Sequence, residues 1–97
     1  MPTLVITSGT GEPRALSLTS RLATLGRGTD CDLRLDDTGV SRRHAEVRLD
    51  AGGATVTDLG STNGTTVNGE RIRSRRLTDG DELVLGSTTL TFRQGGR

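Results

Sequence analysis

The chain has no lysine, no tryptophan and no tyrosine, and only one phenylalanine and one cysteine. The single Cys31 excludes an internal disulfide framework and a cysteine-cluster metal site. It reads as a small, half-buried core residue, compatible with a reducing cytosol. With Phe92 as the only aromatic residue the core must be aliphatic, and no aromatic platform exists on which nucleic-acid bases would stack. No apolar run approaches the roughly 20 residues that span a bilayer, so no membrane insertion is expected. Residues 1–9 lack both a basic segment and a long apolar one, which argues against a signal peptide and for a cytoplasmic protein. The formal net charge of +1 is too small to create a field for nucleic acid or membrane. All 13 basic residues are arginine, whose planar fork binds phosphate bidentately where lysine is a mobile point charge.

Ninety-seven residues make one domain, spanning 1–97 with its core at about 3–93 and a tail or linker at 94–97. A chain of this size buries roughly 60–70% of its unfolded surface, enough for a single core. Nothing in it resembles an effector element, so the expected setting is a longer protein. No window of a dozen residues places apolar side chains at i, i+3, i+4 and i+7. Short β-branched or alternating segments recur instead, at 3–7, 15–18, 22–27, 31–35, 44–49, 54–59, 65–67, 71–73, 82–85 and 88–93. Residues 10–13 are placed as a hairpin connection, and Asn68-Gly69 is a strong two-residue hairpin signal. Short strands with turns every eight to twelve residues predict an all-β fold, an antiparallel β-sandwich or barrel.

Between the strands lie polar loops: Gly26-Arg27, Ser41-Arg42-Arg43-His44, Ser61-Thr62-Asn63-Gly64-Thr65 and Val67-Asn68-Gly69. Each alone is an ordinary turn composition. Together, in this order, they suggest a surface that grips a phosphate and the peptide carrying it.

These residues resemble the forkhead-associated (FHA) domain, a SMAD-like sandwich, over about residues 4–92. The resemblance rests on Gly26-Arg27, the Ser-Arg-x-His element at 41–44, Asn63-Gly64-Thr65, Asn68-Gly69 and the Leu-x-x-Gly-Asp element at 77–81. Residues 36–40 and 61–65 are similar to those of bacterial, actinobacterial-type members. The resemblance implies a sandwich of eleven strands in a six-stranded and a five-stranded sheet, with the binding loops at one end. It also implies recognition of phosphothreonine in a partner protein, such as a Ser/Thr kinase or its substrate, without catalysis and without a metal or cofactor.

By that resemblance Ser41, Arg42 and Thr62 bond phosphate oxygens, and Arg27 binds peptide backbone beside the phosphothreonine. Asn63 uses its amide on backbone to either side of it. A phosphothreonine carries about −1.5 to −2 charges and three strong acceptor oxygens, so converging donors with a permanent cation suit it. Gly26, His44, Gly64, Asn68 and Gly69 form the supporting framework. Of the adjacent arginines, Arg42 is assigned to phosphate and Arg43 to solvent or the rim, because neighbours in extended chain point to opposite sides. Ser41 and Arg42 are both expected to be exposed.

Ser41, His44 and Asp58 invite a hydrolase triad, but no oxyanion hole or deep pocket is identifiable, and a lone histidine at a strand start reads as structural. The run Arg71-Ile72-Arg73-Ser74-Arg75-Arg76 is the strongest basic patch. It reads either as a solvated face or as an electrostatic site for acidic residues flanking the phosphothreonine. The alternative function is a phosphate-independent scaffold or oligomerisation module. It ranks second because no exposed apolar patch is evident, and a monomer is expected.

Overall fold

Aliphatic side chains alternate with threonine and charged residues along most segments, and each such segment buries one face. The computed structural model describes residues 2–8 and 15–94. Eleven strands form within them: β1 (Thr3–Ser8), β2 (Ala15–Ser17), β3 (Leu22–Gly26), β4 (Leu33–Arg34), β5 (Ala45–Asp50), β6 (Gly53–Asp58), β7 (Thr65–Val67), β8 (Glu70–Ile72), β9 (Ser74–Leu77), β10 (Glu82–Leu85) and β11 (Thr88–Arg93). One sheet has six strands in the order β2-β1-β11-β10-β7-β8, and the other five in the order β4-β3-β5-β6-β9. The hairpin connection placed at 10–13 lies outside the described residues.

Leu4, Leu25, Val47, Val56, Leu83, Leu85, Leu90 and Phe92 are fully buried between the sheets. The core is therefore aliphatic around one aromatic ring. Asn68 and Gly69 both have positive φ, 52° and 86°, and Val67 pairs with Glu70 across them, a tight hairpin whose twist suits the flanking strands.

Two details differ from the sequence reading. The segment at 31–35 supplies only a two-residue strand, and β4 runs parallel to β3, so the five-stranded sheet is mixed. The alternation there is real, with Leu33 and Leu35 buried, but loop residues on both sides bond elsewhere. The second half of the basic run forms β9, paired with β6. Its arginines hide the strand signal, because at this edge they lie along the sheet surface and not in the core.

Candidate functional site

Three loops meet where β3 and β6 end and where β5 and β7 begin: residues 27–32, 35–44 and 59–64. The pairings Leu25↔Ala45, Ala45↔Asp58 and Leu85↔Thr65 bring those strand ends together.

The first two loops are zipped by backbone. Arg27 N–H donates to Ser41 O (3.0 Å), Gly28 N–H to Arg42 O (3.0 Å) and His44 N–H to Leu25 O (2.9 Å). This approach requires Gly26, because a Cβ there would collide with Arg42 O and lie 2.9 Å from Arg42 C. Burial pushes the Cys31 thiol up from its ordinary value, so it stays protonated and donates to Arg42 O (3.2 Å).

His44 is fully buried and joins the second loop to the third. Ser41 N–H donates to His44 Nδ1 (3.0 Å), while Nε2 faces Gly64 O (2.8 Å). An amide can only donate and a carbonyl can only accept, so Nε2 carries the proton and the ring is the neutral Nε2–H tautomer. Ser41 Oγ then accepts the Thr62 N–H (3.1 Å), and Asn63 Nδ2 donates to Gly39 O (2.8 Å). The imagined triad does not form: Asp58 bonds neither Ser41 nor His44.

Two aspartates that the sequence reading left out of the framework hold these loops. Asp58 accepts from Gly60 N–H and Ser61 N–H (both 3.1 Å), Ser61 Oγ (2.5 Å) and Thr65 Oγ1 (2.8 Å). Ser61 Oγ in turn accepts the Gly64 N–H (2.9 Å). Asp37, buried, accepts from Gly39 N–H, Ser87 N–H and Thr88 Oγ1, each at 2.8 Å, tying the second loop to the β10–β11 turn. Asp81 similarly accepts from Thr78 N–H (2.8 Å), Thr78 Oγ1 (3.1 Å) and Asn68 Nδ2 (2.9 Å), and Asn68 Oδ1 accepts the Glu82 N–H (3.0 Å). In all three, desolvation pushes the carboxyl up, but the hydrogen bonds outweigh it and hold each below the ordinary aspartate value.

The residues expected to grip ligand are brought to this one end, with unequal freedom. Arg42 is exposed, and its guanidinium makes no hydrogen bond or ion pair among the described residues. It lines an open cleft of about 410 Å³ with Arg27, Gly28, Thr29, Asp30 and Arg34. Arg27 is anchored through Nε to Val40 O (3.0 Å), which aims its exposed head group. Arg34 donates from Nε to Arg27 O (3.1 Å), a contribution to the cleft that the sequence reading missed. Arg43 lies outside that lining, 3.9 Å from the Asp30 carboxylate. Thr62 and Asn63 are exposed. Ser41 is half-buried, not exposed as expected, because its hydroxyl also knits the loops. Asn63 spends one amide hydrogen on Gly39, so it braces the site as well as facing outward.

A family model for the FHA domain matches residues 23–86. The chain is 45% identical over 91 residues to the FHA domain-containing protein FhaA of Mycobacterium tuberculosis, a match covering 94% of this chain and 17% of that protein. It is 44% identical over 92 residues to the glycogen accumulation regulator GarA of Mycolicibacterium smegmatis, covering 95% of this chain and 58% of that one. The chain thus spans less than two thirds of either relative. A solved structure from a structural and functional analysis of phosphothreonine-dependent FHA domain interactions superposes with a TM-score of 0.87 at 42% identity, covering 99% of this chain and 98% of the other.

Proposed function

This chain belongs to the FHA domain family, and from that premise we propose that its three-loop end binds a phosphothreonine peptide within Ser/Thr kinase signalling. It is a binding module, not an enzyme, as the regulator among its relatives accords with. The observation that carries the reading is an exposed Arg42 without a side-chain partner among the described residues, set beside a Ser41 hydroxyl that the Thr62 amide holds in place. Because Ser41 Oγ accepts from Thr62, its own hydrogen is free to point at a phosphate oxygen. Arg27, Ser41, Arg42 and Thr62 then supply the donors, and Asn63 the peptide-backbone contact. Each charge-assisted bond contributes about 1.5–3 kcal/mol, and several of them, less ordering costs, fit a micromolar complex of about −8 kcal/mol.

Gly26, His44, Gly64, Asn68 and Gly69, with Asp37 and Asp58, hold this surface still. The partner is a cytoplasmic phosphothreonine protein, a Ser/Thr kinase or its substrate, and the isolated domain is a monomer that binds no nucleic acid. No helix among the described residues is long and apolar enough to cross a membrane. The scaffold alternative finds no support, since Leu22 and Leu59 are the only exposed large hydrophobics among the described residues.

Calorimetry with one peptide in phosphothreonine, phosphoserine and unphosphorylated forms tests the reading. The phosphothreonine form binds best and the unphosphorylated form does not bind; equal affinities overturn it. The same titration carries a pH signature. The phosphate's second pKa is about 6, so affinity falls about tenfold from pH 7.5 to 5 as the dianion is lost. The three framework carboxylates do not weaken the fold in that window. Asp37, Asp58 and Asp81 have lowered values when folded, so their stabilisation is complete above the unfolded value of about 3.9 and is lost only as pH falls through the lowered ones. Circular dichroism unchanged at pH 5 beside weakened binding separates the two effects.

A further inference from the structure

The basic run divides in the structure. Arg75 pairs with Glu70 (2.8 Å) and Arg76 with Asp50 (3.2 Å), which accounts for both as edge-strand ion pairs. Arg71 and Arg73 are exposed and make no side-chain hydrogen bond or ion pair among the described residues. Arg71 lies on β8, the edge of the six-stranded sheet, and Arg73 is the single residue joining it to β9, the edge of the other.

Their position relative to the phosphate loops is specific. The Arg71 guanidinium lies over Gly64, where a Cβ would stand 2.5 Å from its Nε and 2.8 Å from its Cζ. Gly64 is two residues from Thr62, no more than about 7.6 Å away along the chain. Arg71 and Arg73 line one open cleft of about 690 Å³ with Thr57, Asp58, Gly60 and Ile72. The one carboxylate in that lining, Asp58, is committed to four hydrogen bonds within its own loop. Two guanidinium groups unpaired among the described residues therefore lie beside the third loop, in a cleft whose lining shares no residue with that of Arg27, Arg34 and Arg42.

We propose that Arg71 and Arg73 form a second anion subsite, which takes an acidic group on the same peptide two to five residues from the phosphothreonine. An extended peptide advances about 3.3 Å per residue, so that spacing bridges the distance from Thr62 past Gly64. The subsite rests on the phosphothreonine reading above and deepens it, selecting among phosphothreonine partners by their acidic flanks.

The test is a set of phosphothreonine peptides with alanine flanks, in which a single glutamate, or in a second set a second phosphothreonine, is moved through five positions on each side. Calorimetry on the whole chain at low salt reads the affinities. At one or two adjacent positions the anion tightens binding about twofold to tenfold, as exposed ion pairs do, and the gain shrinks in 300 mM salt. The double variant Arg71→Gln, Arg73→Gln loses the gain but binds the alanine-flanked peptide within twofold of wild type. Arg73→Glu, which leaves the Gly64 contact alone, reverses the preference, so that lysine at the same position binds better than glutamate. A gain from glutamate identifies a carboxylate subsite, and a gain only from the second phosphothreonine identifies a phosphate subsite. If the alanine-flanked peptide binds and no position gains, or if the gain survives in the double variant, the subsite is overturned while the phosphothreonine reading stands. If no phosphothreonine peptide binds the wild type, both fall.

Discussion

Replacing Arg42 by alanine weakens phosphothreonine-peptide binding at least tenfold and leaves the folded domain as stable as before. The two halves of this expectation come from the same observation. The Arg42 guanidinium has no internal partner among the described residues, so its removal strands no buried group and opens no cavity. The backbone carbonyl of residue 42, which accepts from Gly28 and Cys31, is untouched by the substitution. What is lost is a charge-assisted bond to phosphate, about 1.5–3 kcal/mol, or roughly tenfold to more than a hundredfold in affinity. Calorimetry and thermal unfolding on the same sample measure both. Ser41→Ala is the instructive contrast. It removes a phosphate donor and also leaves the Thr62 amide without its acceptor, so affinity and stability fall together. An Arg42→Ala variant that binds at wild-type affinity would remove Arg42 from the site.

His44→Phe has the other large effect, and it acts without touching ligand. Phenylalanine roughly fills the space of the buried ring but meets neither the Ser41 amide nor the Gly64 carbonyl. Two polar groups are orphaned, each costing about 1–3 kcal/mol, so unfolding stability drops by about 2–4 kcal/mol. For a domain of this size that lowers the melting temperature by well over 5 °C, on the order of 4–8 °C per kcal/mol. Binding by the folded fraction also weakens at least tenfold, because the second and third loops lose the side chain that sets their spacing. A matched core variant, Val56→Ala, separates the two causes: it destabilises through a fully buried side chain that makes none of the loop hydrogen bonds and leaves the affinity of the folded protein unchanged. If His44→Phe binds as tightly as Val56→Ala, the bracing role is wrong.

Most of the fold was legible because alternation survives wherever a strand buries one face, as along 45–49 and 82–85. It failed where burial gave no signal. β9 reads as a charge run because only Leu77 points into the core. β4 pairs parallel for two residues, and parallel pairing has no local sequence mark.

The candidate site was legible as a set of polar loop residues, which the structure brings to one end of the sandwich. The carboxylates beneath them were missed, although a local signature was present. Asp37, Asp50 and Asp58 each stand two residues before a glycine, and each carboxylate accepts that glycine's amide. Sequence alone places all three as turn formers. Only the tertiary partners, Ser87 and Thr88 for Asp37 and Thr65 for Asp58, distinguish the two that hold the site from Asp50, which turns a distant hairpin and pairs with Arg76. The dual use of Ser41 and Asn63, facing outward and also bracing, was hidden for the same reason.

Three loops at one end of the sandwich are proposed to take the phosphate. Backbone amide chemical shifts, followed by NMR as a phosphothreonine peptide is titrated in, test it most directly. The largest changes should fall on residues 27–28, 41–43 and 62–64, with the unphosphorylated peptide producing none. Changes centred on the β5–β6 turn at residues 51–52, at the opposite end of those strands, or equal changes from both peptides, would contradict it.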